Sequence, residues 1–302
     1  MAQERIYQAA WETKLQQRLD KPTNWKDVCD VIYTDTQVHN LPYIAAADEP
    51  AVATIFSSAA TRMTLSNVVT LIAVTQTNET LSVVSTEYDA VYLDYADQAQ
   101  SQYSKWVDMG DLLGKKIDER IEALVLANAA GQTNLGDDGS GNVALAATQL
   151  TVSATNIDDI IRGVIEQIQT ANGYKLYLER GGFVEWRPAD WTKLVAFMQA
   201  NGYTFADEAL KGGGKGMLGK ETMGLFHYVS TSHTANHLFA GVRGVVKLGL
   251  LKSTYGKTYV TETPSSSTAG FLSGTAIHSR LDYGFKTPTN LAALAFDVNV
   301  AS

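Results

Sequence analysis

His227, His233 and His237 fall within eleven residues. Imidazoles six and four apart could gather a zinc ion. No cysteine or acid stands between them, and His227 sits between Phe226 and Tyr228 in a strand-like run. Ordinary strand and loop positions therefore fit them better. Gly214, Gly216 and Gly219 spell G-x-G-x-x-G, and Gly214 to Lys220 fits most of a phosphate-binding loop. Either motif needs a strand before it and a helix after it. Glu221 stands where Ser or Thr would hold Mg²⁺, and a strand-like segment follows, so residues 211–219 read as a flexible loop. Cys29 with His39 has the residue types of a thiol dyad, but nothing orients the two. Asp137, Asp138 and Asn142 could suggest calcium, yet the loop lacks the EF-hand order and its terminal Glu. No G-x-S-x-G occurs. The expectation is a chain with no catalytic residues, no cofactor and no metal: not an enzyme.

Composition sets the bounds. The chain has 302 residues, 45% hydrophobic and 19% charged, which is ordinary globular content. No run of eighteen apolar residues exists to span a membrane, and residues 1–17 lack the apolar core of a signal peptide. The one cysteine, Cys29, has no internal disulfide partner and suits a reducing compartment. The net charge of −8 argues against nucleic-acid binding as the primary activity. That charge is concentrated: Val28–Ser104 holds nine acids and one base, Arg62, while the remainder holds 23 of each.

The elements that would position these residues start from one stretch. Tyr95–Ala130 carries apolar residues at Ala99, Tyr103, Trp106, Leu113, Ile117, Ile121, Leu124 and Ala127, one stripe of a helix. Gly131 is a plausible stop. Upstream, residues 2–19 read as an amphipathic helix ended by Pro22, and Trp25–Tyr33 as a short helix capped by Asn24. Residues 41–60 read as extended. Asn67–Thr77 and Thr80–Tyr95 read as a long β-hairpin turning at Asn78-Glu79. Downstream, Gly131–Asn142 is turn-rich, and Ile157–Gln169 is a helix capped by Asn156. Phe183–Trp186 is a strand, and Pro188 opens a helix to Ala200. Leu225–Thr231, His237–Gly241, Val245–Leu251 and Thr258–Thr263 are short strands. Phe271–Leu281 and Asn290–Val300 close the chain, separated by Asp282-Tyr283-Gly284.

This order of parts resembles the major capsid proteins of tailed bacteriophages, the Hong Kong 97-type capsid fold. The residues that carry it are LLGKKIDERIEALVLANAAG (112–131), similar to the end of the spine helix, and GDDGSGN (136–142), similar to the Gly-rich loop after it. FVEWRPADWTKLVAFM (183–198) resembles the strand-then-helix of the axial domain, as do GMLGKETM (216–223) and AGVRGVVKLGLL (240–251) its later segments. TAIHSRLDYGF (275–285) resembles the closing strand of the peripheral domain.

The resemblance implies an α+β fold with an N-terminal arm at 1–50, an extended loop at 51–95, a peripheral domain with the spine helix at 96–155 and 261–302, and an axial domain at 156–260. It implies a structural subunit that assembles as hexamers and pentamers into an icosahedral head around double-stranded DNA. Its partners would be copies of itself, a portal, a separate scaffolding or decoration protein and, non-specifically, the DNA, with no membrane. The location would be the virion capsid, assembled in the host cytoplasm. The alternatives are an encapsulin-like compartment shell and a soluble α+β enzyme. Residues 51–95 contain no lysine, so the lysine cross-link of the family's named member does not carry over. If the acidic segment lies on neighbouring copies, its acids should face bases. Candidate contacts between subunits are Glu79, Glu87, Asp89 and Asp94 against Lys105, Lys115, Lys116 and Arg120, with Lys247, Lys252 and Lys257 second.

Overall fold

The computed structural model describes residues 21–44, 76–94, 105–201, 221–263 and 274–301. The expected helix at 2–19, the first hairpin strand before Gln76 and the glycine motif at 214–219 lie outside them. The chain opens with helix α1 (Trp25–Val28), followed by strands β1 (Asp30–Thr34), β2 (Val38–Ile44), β3 (Gln76–Ser82) and β4 (Ser85–Asp94). The long helix α2 (Lys105–Ala129) comes next, then the short hairpin β5 (Thr133–Asp137) and β6 (Val143–Ala144). Helices α3 (Asp158–Thr170) and α4 (Tyr174–Arg180), strand β7 (Gly182–Trp186) and helix α5 (Pro188–Ala200) follow. The remaining strands are β8 (Glu221–Thr222), β9 (Leu225–Val229), β10 (His237–Val242), β11 (Lys247–Leu251), β12 (Thr258–Thr263), β13 (Gly274–Lys286) and, after a 3-10 turn, β14 (Ala295–Asn299).

Among the described residues two larger sheets form. One runs β6-β5-β14-β10-β7-β9-β8; the other runs β1-β11-β13-β12, with β4 also on β13. The first sheet holds the main core. Phe183, Trp186, Phe239 and Phe296 are buried there with Ile160, Ile161, Val164 and Ile168 of α3. The Phe183 and Phe239 rings meet edge-to-face at 4.9 Å. The α2 helix lies along both sheets, touching β10 and β14 of the first and β4, β12 and β13 of the second. Its buried apolar residues, among those described, are Leu113, Ile117, Ile121, Val125, Leu126 and Ala129. Leu124 is only half-buried and Ala127 is exposed, because a helix of 3.6 residues per turn drifts away from a strict spacing of four.

Several expectations are corrected. The Trp25–Tyr33 helix stops at Val28, and strand β1 begins at Asp30. Asn24 gives no side-chain cap. Asn156 does not cap α3 either; its Oδ1 accepts from Ser153 N at 2.7 Å. Asn78 and Glu79 are not a turn but the middle of β3, paired with Pro42 and Leu41 of β2. Asp282-Tyr283-Gly284 is uninterrupted strand inside β13. There β4 pairs antiparallel with β13 from Ser85↔Tyr283 to Asp94↔Gly274. The expected β4 therefore has a partner within its own chain, which local turn signals could not reveal.

One close approach fixes how the β3–β4 corner sits. Gly249 and Gly284 face each other across β11 and β13. A Cβ on Gly249 would lie 2.7 Å from Val83 Cγ2 and 2.9 Å from Leu81 Cδ2, and one on Gly284 would run into the Ser82 carbonyl. Leu81 and Val83 are buried on this glycine pair, so the corner has room only because both positions lack a side chain.

Candidate functional site

The described part of the acidic segment folds back onto its own chain. Strand β1 runs parallel to β11 in the register Asp30↔Lys247 and Thr34↔Leu251. That register brings Lys247 onto Asp30 and places Lys252 Nζ 2.9 Å from Asp35. Farther along, β4 crosses the face of α2. Arg120 Nη2 lies 2.7 Å from Glu87 Oε1, and Lys116 Nζ 3.5 Å from Asp89 Oδ2. The spacing of the two pairs matches. Two strand residues advance about 6.6 Å, and four helix residues about 6 Å, so acids two apart meet bases four apart. Beneath them Val91 packs against Leu113 and Ile277. Glu87, Tyr88, Asp89, Lys116, Ile117 and Arg120 line an open groove of ≈ 200 Å³.

Glu79 belongs to the same pattern. Its two oxygens each accept the Thr289 N–H at 3.2 Å, at the start of the 3-10 turn. Lys286 Nζ lies 3.6 Å away. The Thr289 hydrogen bond first, then Lys286, hold the Glu79 carboxyl below its usual range. Asp30, Asp35, Glu79, Glu87 and Asp89 are the acids of Val28–Ser104 whose side chains are described, and each meets a base of its own chain. Of the first-choice acids and bases singled out in the sequence, Glu87 meets Arg120 and Asp89 meets Lys116 inside one subunit, while Glu79 meets Lys286 instead. Asp94 lies on β4 opposite Gly274, Lys105 opens α2, and Lys115 lies on its exposed side. Asp48, Glu49 and Asp97 lie outside the described residues.

The opposite face of the second sheet carries an aromatic ladder. The ring of His278 on β13 lies 5.5 Å from that of Tyr88 on β4 and 5.4 Å from that of Tyr259 on β12. Tyr88 and Tyr259 are exposed.

Most of the described groups weighed for chemistry have structural partners, although the Nε2 of His233 is buried without a hydrogen-bond partner. His227 is buried; its Nδ1 accepts from Trp186 Nε1 at 3.0 Å and its Nε2 donates to the Thr222 carbonyl at 2.9 Å. Burial holds it neutral, with a pKa lowered to about 4. His237 Nδ1 lies 2.8 Å from Asp297 instead. Burial, with the Arg187 charge second, lowers His233 to about 4. Among the described residues no group of three or more His, Cys, Asp or Glu is placed to hold a metal. Burial, and after it the charges of Glu185, Glu122 and Asp30, push the Cys29 thiol far up, which makes it a poor nucleophile. Asp137 and Asp138 close the β5–β6 turn. Asp137 Oδ1 accepts from Gly139 N at 2.8 Å and from Gly141 N at 2.9 Å, and Asp138 Oδ1 from Ser140 N at 2.7 Å.

Sequence reasoning missed a buried acidic cluster. Glu122 of α2 and Glu185 of β7 are both 1% exposed. Glu122 Oε2 accepts the backbone N–H groups of Asn24 and Trp25, each at 2.9 Å. It thereby satisfies donors at the start of α1 that Asn24 leaves open. One turn earlier on α2, Glu119 Oε1 accepts the Lys21 N–H at 3.1 Å. The available signal was an acid next to Ile121 on the apolar stripe, and another inside the run FVEW.

No protein-family model and no curated protein matches the chain. Solved structures do. A chain from Mycobacterium phage Che8 is 14% identical, with 99% of this chain and 98% of that one covered and a TM-score of 0.68. A chain from the capsid of Ralstonia phage GP4 is 9% identical, over 99% and 97%, at 0.66. One from the capsid structure of cyanophage P-SCSP1u is 12% identical, over 98% and 94%, at 0.61. At such identities the likeness is one of fold, and it extends over nearly the whole of each chain.

Proposed function

We propose that this chain is the structural major capsid protein of a tailed bacteriophage. The observation that carries the reading is the end-to-end correspondence of fold with chains of phage capsids, including those of GP4 and P-SCSP1u. In this reading the fold is the Hong Kong 97 type, α2 is the spine helix, and 1–50 and 51–95 are the arm and the extended loop. Residues 96–155 and 261–302 form the peripheral domain, and 156–260 the axial domain. Copies close as hexamers and pentamers around double-stranded DNA in the virion, after assembly in the host cytoplasm. A portal and a separate scaffolding or decoration protein complete the particle.

The role of the charged residues changes form. Glu87–Arg120 and Asp89–Lys116 act inside a subunit and set the angle at which β4 crosses the helix. Glu79 fastens β3 to the segment before β14. Asp94, Lys105 and Lys115 are proposed to face neighbouring copies. Electron microscopy of the purified protein tests the reading. Closed icosahedral shells support it, and DNA-filled particles from infected cells separate a phage head from an encapsulin-like compartment. A stable monomer that never assembles would overturn it.

A further inference from the structure

The segment Lys21–Val28 is held on the long helix through its backbone. The Lys21 N–H donates to Glu119 Oε1 at 3.1 Å. One turn along α2, Glu122 Oε2 accepts the N–H groups of Asn24 and Trp25, each at 2.9 Å. Carboxyls three apart on the helix thus meet N–H groups three apart on the chain, so the segment runs the same way as α2 here. Asn24 Nδ2 adds bonds to Glu185 Oε1 at 3.1 Å, Glu122 Oε1 at 3.4 Å and the Val229 carbonyl at 3.1 Å. At the far end Arg243 Nε donates to the Asp27 carbonyl and Gly244 N to the Val28 carbonyl, each at 2.8 Å.

The floor under this segment is polar. Glu122 and Glu185 are each 1% exposed, and donors of the segment serve both. Within Lys21–Val28 the buried side chains are Trp25 and Val28, while Lys21, Pro22, Thr23, Lys26 and Asp27 are exposed. Lifting the segment would return two carboxyls to water, which offsets the N–H groups they lose. It would expose two apolar side chains rather than a whole helix face. Apolar residues of the same volume often hold a fold more firmly than buried ionisable ones. Cys29 is extended (φ −91°, ψ 155°), and from Asp30 onward the chain is locked into β1 beside β11.

We propose that Lys21–Val28 is a strap, hinged at Cys29, that opens and recloses on the carboxyls of Glu119 and Glu122 while both sheets stay folded. The device belongs to the single subunit and goes beyond the shell reading. Closed, the strap fixes where the chain before Lys21 joins the long helix. Trp25, packed edge-on against Tyr255 with Lys26 Nζ 4.8 Å above its ring, seats it. Opening frees that junction and uncovers Cys29, which is 5% exposed and lies beside both buried carboxyls. The acids give the strap its register through backbone N–H groups, and their own hydration keeps the closure reversible.

Cys29, the chain's one cysteine, reports on the strap. The test labels full-chain, unassembled subunits with N-ethylmaleimide at neutral pH, so that its failure is distinct from failure to form shells. Mass spectrometry follows the label, and hydrogen exchange of the β10 peptide reports global unfolding on the same sample. Wild-type Cys29 should label faster than the β10 amides open. Its rate should respond weakly to low urea, because a small opening exposes little surface. Asn24→Ala removes the Nδ2 donor, and Glu122→Gln turns an amide toward the N–H groups it now accepts. Each should raise labelling several-fold, the size expected from losing hydrogen bonds, and by more than any change in β10 exchange. Labelling only at the rate of global unfolding, or at the wild-type rate in both variants, overturns the strap. If neither variant folds, the wild type decides: labelling as steep in urea as β10 exchange refutes local opening, and a shallower dependence supports it.

Discussion

Arg120 on the long helix donates from Nη2 to Glu87 Oε1 on β4 at 2.7 Å. The pair joins the neutral remainder of the chain to its acidic segment, and one helical turn earlier Lys116 repeats the contact with Asp89. Five acids of that segment thus meet bases through the chain's own topology. Strands β1 and β4 thread across β11 and α2, where the bases are.

Reversing Glu87 to Lys sets two cations against each other at this crossing. Exposed pairs contribute about 0–1 kcal/mol each, so the isolated Glu87→Lys subunit should lose no more than about 1–2 kcal/mol in denaturant unfolding. Under the shell reading the angle of β4 shifts with it, and light scattering should show reduced shell yield at low salt. Adding Arg120→Glu should restore much of both, and about 8–10 Å of screening at physiological salt should narrow the difference. Single reversals that assemble like wild type at low salt would show that the crossing does not position β4.

Acid stability reports on the buried imidazoles. His227 and His233 have folded pKa values of about 4, below the ordinary 6.5. The unfolded chain takes up protons there first. Their contribution to stability is complete above 6.5 and is lost as pH falls through the window from 6.5 to 4. His227→Gln can still accept from Trp186 and donate to the Thr222 carbonyl, and it does not titrate. It should reduce the proton uptake on unfolding in that window by up to one, measured from unfolding free energy against pH. His227→Ala should cost about 2–4 kcal/mol at neutral pH, since it opens a cavity and strands the Trp186 N–H. An unchanged pH slope in His227→Gln would place the titration elsewhere.

Where the sequence was legible, local rules governed. The helix Pro188–Ala200 has its expected bounds because proline suits the first helical position, and Thr258–Thr263 reads as the strand it forms. The long helix shows its stripe from Leu113 to Ile121. What was missed is non-local. Val38–Ile44 and Gln76–Ser82 are far apart in sequence, so the pairing of Glu79 with Leu41 leaves no short-range trace. The helix Tyr174–Arg180 buries none of its residues and so carries no apolar period. Glu122 reads as solvated because the N–H groups it serves come from the far N-terminal side of the chain. Asp137 ends β5 and Asp138 follows it, and their side chains read as turn-forming because their acceptors are satisfied within the loop itself.

Covalent chemistry between subunits is not expected. Residues 51–95 contain no lysine, and Cys29 is the only thiol and is buried. Boiling mature particles in detergent under reducing conditions should release a single species near 32.7 kDa on a denaturing gel. A ladder of multiples would show a cross-link.

Two glycines on paired roles give opposite outcomes to the same substitution. Gly114 lies within α2, and a Cβ there would meet nothing within 4 Å. Gly114→Ala removes backbone freedom from the unfolded chain and should stabilise the subunit by about 0.5–1 kcal/mol. Gly284 lies in β13 beneath the Ser82 carbonyl, where the β3–β4 corner comes down on the sheet. Gly284→Ala must move either that corner or strand β13, so about 1–3 kcal/mol should be lost to overpacking. The cost should be local in its origin. Hydrogen exchange should rise first in Leu81–Ser85 and in the β11–β13 pair, while the β7–β10 strands of the other sheet keep their protection. If the denaturant midpoint of Gly284→Ala equals that of wild type, the corner is not seated on the glycine pair. The close packing of Leu81 and Val83 would then have to be held from β2 alone.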